Sequence, residues 1–197
     1  MAGEQNTGIG LGFIDVLFAF VVGFGLENVN DKPWVRELLS NWLDRDLWMF
    51  VLANTVVVGS WIGYHKAMMY LNREVNNLQS LSRFIIDVIL LFEYFRLLAN
   101  IGDPRLMFAI IFQVFILYLL WNLIVKTEGT EAKKVARLWR PATVFWCFIF
   151  GITYLIARNV PWAGYENVEW LILASAGILG TFLYRLHWVP WRRAIDR

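Results

Sequence analysis

Residues 106–125 read LMFAIIFQVFILYLLWNLIV, a run without one charged side chain. The hydrocarbon core of a bilayer is roughly 30 Å thick, and a helix needs about 20 mostly apolar residues to cross it. This run has that length. Pro104 stands just before it and Lys126 just after it. Working outward, residues 47–64 and 142–157 are also free of charge. Residues 9–26 carry only Asp15, and residues 168–184 carry only Glu169, near their start. Residues 84–101 are the least regular, with Asp87, Glu93 and Arg96. All five prolines lie outside these six stretches, as helix punctuation does. No ten-residue alternation of apolar and polar residues repeats, which argues against a β-barrel. The expectation is an all-α integral membrane protein, one six-helix transmembrane domain over residues 1–197.

Composition agrees. The chain is 58% apolar and 17% charged, with mean hydropathy +0.51; soluble domains run nearer 45–50% and about 25%. A disordered chain, a nucleic-acid-binding tail and an ordinary soluble enzyme are excluded. The net charge of +2 is too small to imply an acidic partner. Membrane lipids are the expected surroundings, and no nucleic acid is expected. Cys147 is the single cysteine and His65 and His187 are the two histidines, so neither a disulfide framework nor a Cys- or His-based metal site is expected. No cofactor is expected either. The first stretch lacks a basic start and a small-residue cleavage pattern, so it reads as a span and not as a signal peptide.

Basic residues orient the spans, because cytoplasmic loops retain Lys and Arg. With the N-terminus inside, 12 of the 18 fall on the cytoplasmic side, counting Arg185, and 5 on the outer side. Both termini are therefore expected in the cytoplasm, in a cell inner membrane. Trp34, Trp42, Trp48, Trp162 and Trp170 fall near the outer face, and Trp121, Trp139, Trp188 and Trp191 near the inner one, as indole belts do. The outer stretch 31–46 reads as a short interfacial helix, with Trp34, Leu38, Leu39, Trp42 and Leu43 on one face. Residues 65–83 are polar and are expected to prolong the second and third helices into the cytoplasm.

A charge at mid-bilayer costs about 2.5–3.5 kcal/mol on insertion scales, so each needs a reason. Asp15 and His65 lie at similar depth on neighbouring spans and can pair. A structural hydrogen bond between helices is the simpler reading; a proton relay or ion site is the sharper one. Arg83 with Asp87 (i,i+4) and Glu93 with Arg96 (i,i+3) can each neutralise themselves on one helix face. An intramembrane aspartyl protease built on Asp15 and Asp87 does not fit, because Asp15 follows Gly10-Leu11-Gly12-Phe13-Ile14 with no Gly-x-Gly directly before it. No Ser/His or Cys/His arrangement and no phosphate-cradling glycine loop is present, so no enzyme is expected.

Phe13, Leu17, Phe20, Phe24 and Glu27 follow a 4-3-4-3 spacing and form one stripe on the first helix. Helix packing or lipid contact is the ordinary use of such a stripe. The alternative is a symmetric oligomer in which copies of this helix line a pore, rings of Phe close it by excluding water, and Glu27 forms an anionic outer mouth. Ala176-xxx-Gly180 on the last span suits close helix packing.

Two short motifs carry a resemblance. Phe13-Ile14-Asp15-Val16-Leu17-Phe18-Ala19-Phe20 resembles the first-helix signature of the endolysosomal potassium channel family (transmembrane protein 175) and its six-helix bacterial relatives: Phe-Ser-Asp, two residues, then Phe-Ala-Ile. Trp61-Ile62-Gly63-Tyr64-His65-Lys66 is similar to the end of that family's second helix, Trp-x-x-His-His-Arg. The resemblance covers about a third of the chain. It implies a homotetrameric channel for monovalent cations without a Thr-Val-Gly-Tyr-Gly filter. Its pore would be lined by the first helix, with constriction layers at Phe20, Phe24 and Glu27, and Asp15, Trp61 and His65 would form a structural polar network. The chain departs from the family where Ile9 stands for an Arg and Ile14 for the Ser. It departs again where two Phe and one Glu replace apolar constriction residues; Phe rings would seal more tightly, and Glu27 would alter cation binding. The other reading is a non-conducting membrane anchor or signalling subunit that recruits a partner through the basic stretches 126–140 or 185–197. A secondary transporter is disfavoured, because no paired repeats with broken helices are visible.

Overall fold

The computed structural model describes the backbone of residues 5–30, 32, 43–70, 77–124, 130–159 and 166–186, and the side chains of 15–30, 32, 43–65, 81–124, 140–159 and 168–186. The described residues are all-helical outside short turns. They form α1 (Gln5–Val29), α2 (Arg45–Tyr70), α3 (Asn77–Ala99), α4 (Pro104–Ile124), α5 (Thr130–Asn159) and α6 (Glu166–Leu186). Most of the stretch 31–46 lies outside the described residues, and its last two residues belong to the first turn of α2.

Local chemistry sets the helix ends. Asp44 Oδ1 accepts from the N–H groups of Asp46 (2.7 Å) and Leu47 (3.3 Å), which caps α2. Asp103 does the same for α4, accepting from the Leu106 N–H at 3.1 Å, and Pro104 takes the first helical position, where its missing N–H costs nothing. The turn before it stops α3 at Ala99, two residues short of the sequence expectation, and the Asn100 amide folds back onto the Arg96 carbonyl at 2.6 Å. As expected, α2 and α3 run past their apolar stretches, to Tyr70 and from Asn77.

Pro141 corrects the reading of prolines as punctuation. It lies inside α5, which begins eleven residues earlier at Thr130. Proline removes one ladder hydrogen bond, that to the carbonyl four residues back. Here that carbonyl belongs to residue 137, in the hydrophilic stretch KTEGTEAKKVAR (126–137), where water can take the bond's place.

α4 is the central helix, packing on α5 and α3 and touching α2. Met107, Phe108, Ile110, Ile111, Val114 and Phe115 are buried along it. Phe115 anchors an aromatic core, stacked on Phe150 of α5 at 4.3 Å between ring centroids and edge-on to Tyr184 of α6 at 5.3 Å. α6 packs chiefly on α2, and α1 packs chiefly on α3, at the edge of the bundle. The Asn28 amide ties α1 to the Leu98 carbonyl of α3 at 3.0 Å, and Gly25 lets Leu98 approach closer than a Cβ would allow.

Among the described residues, four helices are long and apolar enough to cross a membrane: Arg45–His65, Pro104–Ile124, Arg140–Asn159 and Val168–Leu186. Their outer surfaces carry exposed Val58, Leu120, Phe148 and Phe182. Apolar cover of that extent suits lipid and not water.

Phe115 is 1% exposed and Phe148 is 66% exposed. Phe115→Ala is expected to destabilise the bundle by about 3 kcal/mol, the low end of the range for buried Phe, since lipid supplies little of the usual transfer term. Phe148→Ala is expected to cost under about 0.5 kcal/mol. Unfolding of the purified protein by titrated sodium dodecyl sulfate measures both.

Candidate functional site

The α1 stripe runs along the flank of that helix, beside α3, and is only partly exposed. Phe20 is 68% exposed, Glu27 is exposed, and Leu17 and Phe24 are half-buried. Phe13 falls outside the described side chains. Next to the stripe, Phe18 and Val21 are buried and hold α1 to the bundle. Phe95 of α3 supports the stripe: its ring meets Phe24 edge-on at 5.3 Å and Phe20 at 6.0 Å. Edge-to-face geometry aims the positive ring edge at a π face and adds about 0.5–1.5 kcal/mol per pair. Sequence spacing did not single out Phe95; only the helix pairing brings it beside α1.

The expected partners Asp15, Trp61 and His65 are together. Asp15 Oδ1 accepts from Trp61 Nε1 at 2.9 Å and lies 2.6 Å from His65 Nε2. The Trp61 and His65 rings pack edge-on at 4.9 Å, one turn apart on α2. These contacts join α1 to the C-terminal part of α2. The trio is not deeply buried; the Asp15 side chain is 42% exposed.

The charges of α3 divide. Glu93 and Arg96 close a double contact, both at 2.8 Å, and Arg96 also reaches Gln113 at 3.3 Å. Arg83 instead lies over the Trp121 ring, 5.8 Å from its centroid, and acts on Asp87 through space. Of the two basic stretches, only Arg140, Arg185 and Leu186 have described side chains.

A second polar group lies between α2, α3, α4 and α6, and sequence reading did not find it. Arg185 was counted among the cytoplasmic basic residues. It instead turns inward, its guanidinium 4.8 Å from the centre of the Tyr184 ring and 5.4 Å from that of Tyr118. It donates to the Tyr118 hydroxyl at 3.4 Å. That hydroxyl bonds Ser60 of α2 and, at 2.9 Å, Tyr94 of α3. A second chain runs from the Asn122 amide to Thr143 (3.0 Å) and on to Tyr184 (3.2 Å). Gly59 and Gly63 make room: a Cβ on Gly63 would collide with the Arg185 guanidinium, and one on Gly59 would touch its Nε at 3.5 Å. The Gly59-xxx-Gly63 spacing was the available signal. Beside Arg185 is a cavity of about 70 Å³, lined by Asp87, Tyr94, Tyr118, Trp121 and Arg185 among others.

Among the described residues, no group of three or more His, Cys, Asp or Glu could hold a metal ion. No family model matches this chain, and neither a curated protein nor a solved structure is significantly similar to it.

The Asp15–His65 contact is open to a direct check. A double-mutant cycle with Asp15→Ala and His65→Ala is expected to give a coupling of about 1 kcal/mol, within the range of interhelical hydrogen bonds in membrane proteins. A coupling near zero in sodium dodecyl sulfate unfolding would mean that the pair holds nothing.

Proposed function

We propose that the chain is a subunit of a homo-oligomeric cation channel, most simply a tetramer, whose pore is lined by the outward face of α1. What supports the reading is that α1 sits at the bundle edge, with Phe20 and Glu27 exposed on it and Phe24 half-buried beside Phe95. Within one protomer Phe95 backs Phe20 and Phe24, and Phe20 still leaves 68% of its surface exposed. Around a symmetry axis, the same stripe becomes two layers of aromatic rings below a ring of carboxylates. The short likenesses to the transmembrane protein 175 family point the same way.

In this reading all six helices cross the membrane, with both termini in the cytoplasm of a cell that keeps the protein in its inner membrane. The shortest helices have 21 residues, about 31 Å at 1.5 Å per residue, enough for the hydrocarbon core. Phe20 and Phe24 form the gate. Rings of Phe leave a gap too narrow and too apolar to stay wet, so ions are excluded until the rings part. Phe95 backs both rings and sets their angle. The Asp15–Trp61–His65 group and the Asn28–Leu98 bond fix the rotation of α1, so that the stripe and not the Phe18 face meets the axis. Glu27 concentrates cations at the mouth and repels anions.

The expected outcome is that Phe20→Ala or Phe24→Ala raises cation leak from liposomes, and that Phe95→Ala does so more weakly. Glu27→Gln lowers the preference for cations at low salt, where screening is weak. Bilayer recording under potassium and sodium gradients measures all four. Currents unchanged in both Phe variants, at equal reconstitution, would remove the pore assignment.

A further inference from the structure

Two outward faces of the bundle stand on either side of α1. The first is a groove of about 420 Å³ between α2 and α6, lined by Asn54, Thr55, Val58 and Ile62 of α2 and Phe182 of α6 among others. Around the circumference of α2 it lies between Trp61 and His65, which meet α1, and Gly59 and Gly63, which meet α6. The second is a ridge on α3, where Leu81, Ile85, Ile89, Phe92 and Arg96 are exposed at a 4-4-3-4 spacing. It lies between Phe95, which meets α1, and Glu93, on the side where Gln113 of α4 comes within 3.3 Å of Arg96.

Each face carries one polar side chain with capacity to spare. Asn54 donates to the Phe50 carbonyl of its own helix at 2.9 Å, and among the described residues its Oδ1 accepts from nothing. Arg96 is 47% exposed and makes its contacts with Glu93 and Gln113 through Nη1 alone, so Nε and Nη2 keep N–H groups to donate. Lipid tails can cover Val58, Ile62, Ile89 and Phe92. They offer no acceptor to a guanidinium and no donor to an amide.

The two polar groups stand at one level. α2 and α3 run antiparallel, tied by Arg45 to the Gly102 carbonyl at 3.5 Å and by Ser60 to Tyr94 through the Tyr118 hydroxyl. Counted from the first tie, Arg96 is level with residue 51 of α2; counted from the second, with residue 58. Asn54 and Thr55 lie between those limits. By the same counts Phe92 is level with residues 55–62, inside the span of the groove. Within one protomer Asn54 and Arg96 do not bond each other.

We propose that the groove seats α3 of a second copy of this chain, with Phe92 entering it and Arg96 donating to Asn54 Oδ1 of the neighbouring copy. The inference rests on the reading of α1 as the innermost helix of a ring, and it names the contact that closes that ring. The contact is head-to-tail, because the two copies use different faces, so it repeats around an axis. Groove and ridge flank α1, so each repeat brings another α1 to the inside. Glu93 neutralises Arg96, and the interface therefore takes in a hydrogen-bonding guanidinium without a net charge.

The test is cross-linking of the full chain in membrane vesicles, with Cys147→Ser removing the one native cysteine. Asn54→Cys and Arg96→Cys in the same chain, treated with a bifunctional thiol reagent whose span replaces the arginine side chain, are expected to give a ladder of linked dimers and higher forms. Neither single variant is expected to link. Asn54→Leu removes the acceptor and is expected to raise about threefold the concentration at which the oligomer half-dissociates in detergent. Asn54→Asp is expected to lower it, since a carboxylate binds a guanidinium more strongly than an amide does, a direction that general destabilisation does not produce. Oligomers that form without any link between positions 54 and 96 would overturn this interface, leaving lipid in the groove and the channel reading intact. Links between two copies of Asn54→Cys would overturn it in favour of a two-fold pairing. A full ladder with unchanged leak in Phe20→Ala and Phe24→Ala would uphold the interface and remove the pore, and a monomer would overturn both.

Discussion

In hydrocarbon a polar group has no water to fall back on, and that constraint explains where this bundle puts its polar contacts. They lie at the seams between helices. Asp15 meets Trp61 and His65 between α1 and α2. Asn28 meets Leu98 between α1 and α3. Ser60, Tyr94 and Tyr118 join α2, α3 and α4, and Asn122, Thr143 and Tyr184 join α4, α5 and α6. Each bond is worth only about 0.6 kcal/mol on average in such settings. Their value lies in direction: an apolar helix face slides or rotates at little cost, while a hydrogen bond between two helices permits one register.

Arg185 shows how the same constraint selects sequence elsewhere. A guanidinium near the end of a span ordinarily extends toward the headgroups. Here it turns inward, because Gly59 and Gly63 leave α2 without side chains along its path and because Tyr118 and Tyr184 offer π faces for the cation. Two glycines, two tyrosines and one arginine, on three helices, make one arrangement. Altering either side disturbs the other: a methyl at position 63 evicts the guanidinium, and a shorter side chain at 185 leaves a groove along α2 with nothing in it.

The helices were legible in the sequence because they depend on local facts: apolar length, Asp44 and Asp103 as caps, and Pro104 at a first turn. The exception was Pro141, where a local rule gave way because the lost bond falls in a hydrophilic stretch. The contact of Asp15 with His65 was legible too, since the sequence sets the two polar residues at matching positions on neighbouring apolar stretches. The inner cluster was not. Arg185 on α6 donates to Tyr118, whose hydroxyl in turn bonds Ser60 and Tyr94, and no spacing within one helix links these residues. The stripe on α1 was half legible. Its period was evident, but its placement on the flank of α1 depends on Phe18 and Val21 being buried next to it and on Phe95 standing alongside.

That last dependence separates two kinds of helix in this bundle. α4 is enclosed by neighbours on most of its circumference, and its side chains are chosen by volume. α1 is gripped by one principal neighbour, α3, through Phe18, Val21, Gly25 and Asn28, and by α2 through Asp15. A helix held on one side can tilt or rotate without opening a cavity in the core, so its motion costs seam contacts and not packing. Asp15 lies midway along α1 and Asn28 near its C-terminal end, and the aromatic pairs with Phe95 lie between them. Between these two contacts the rings of Phe20 and Phe24 are held by edge contacts with Phe95 and not by hydrogen bonds, so they can turn without breaking the contacts that set the register of the helix.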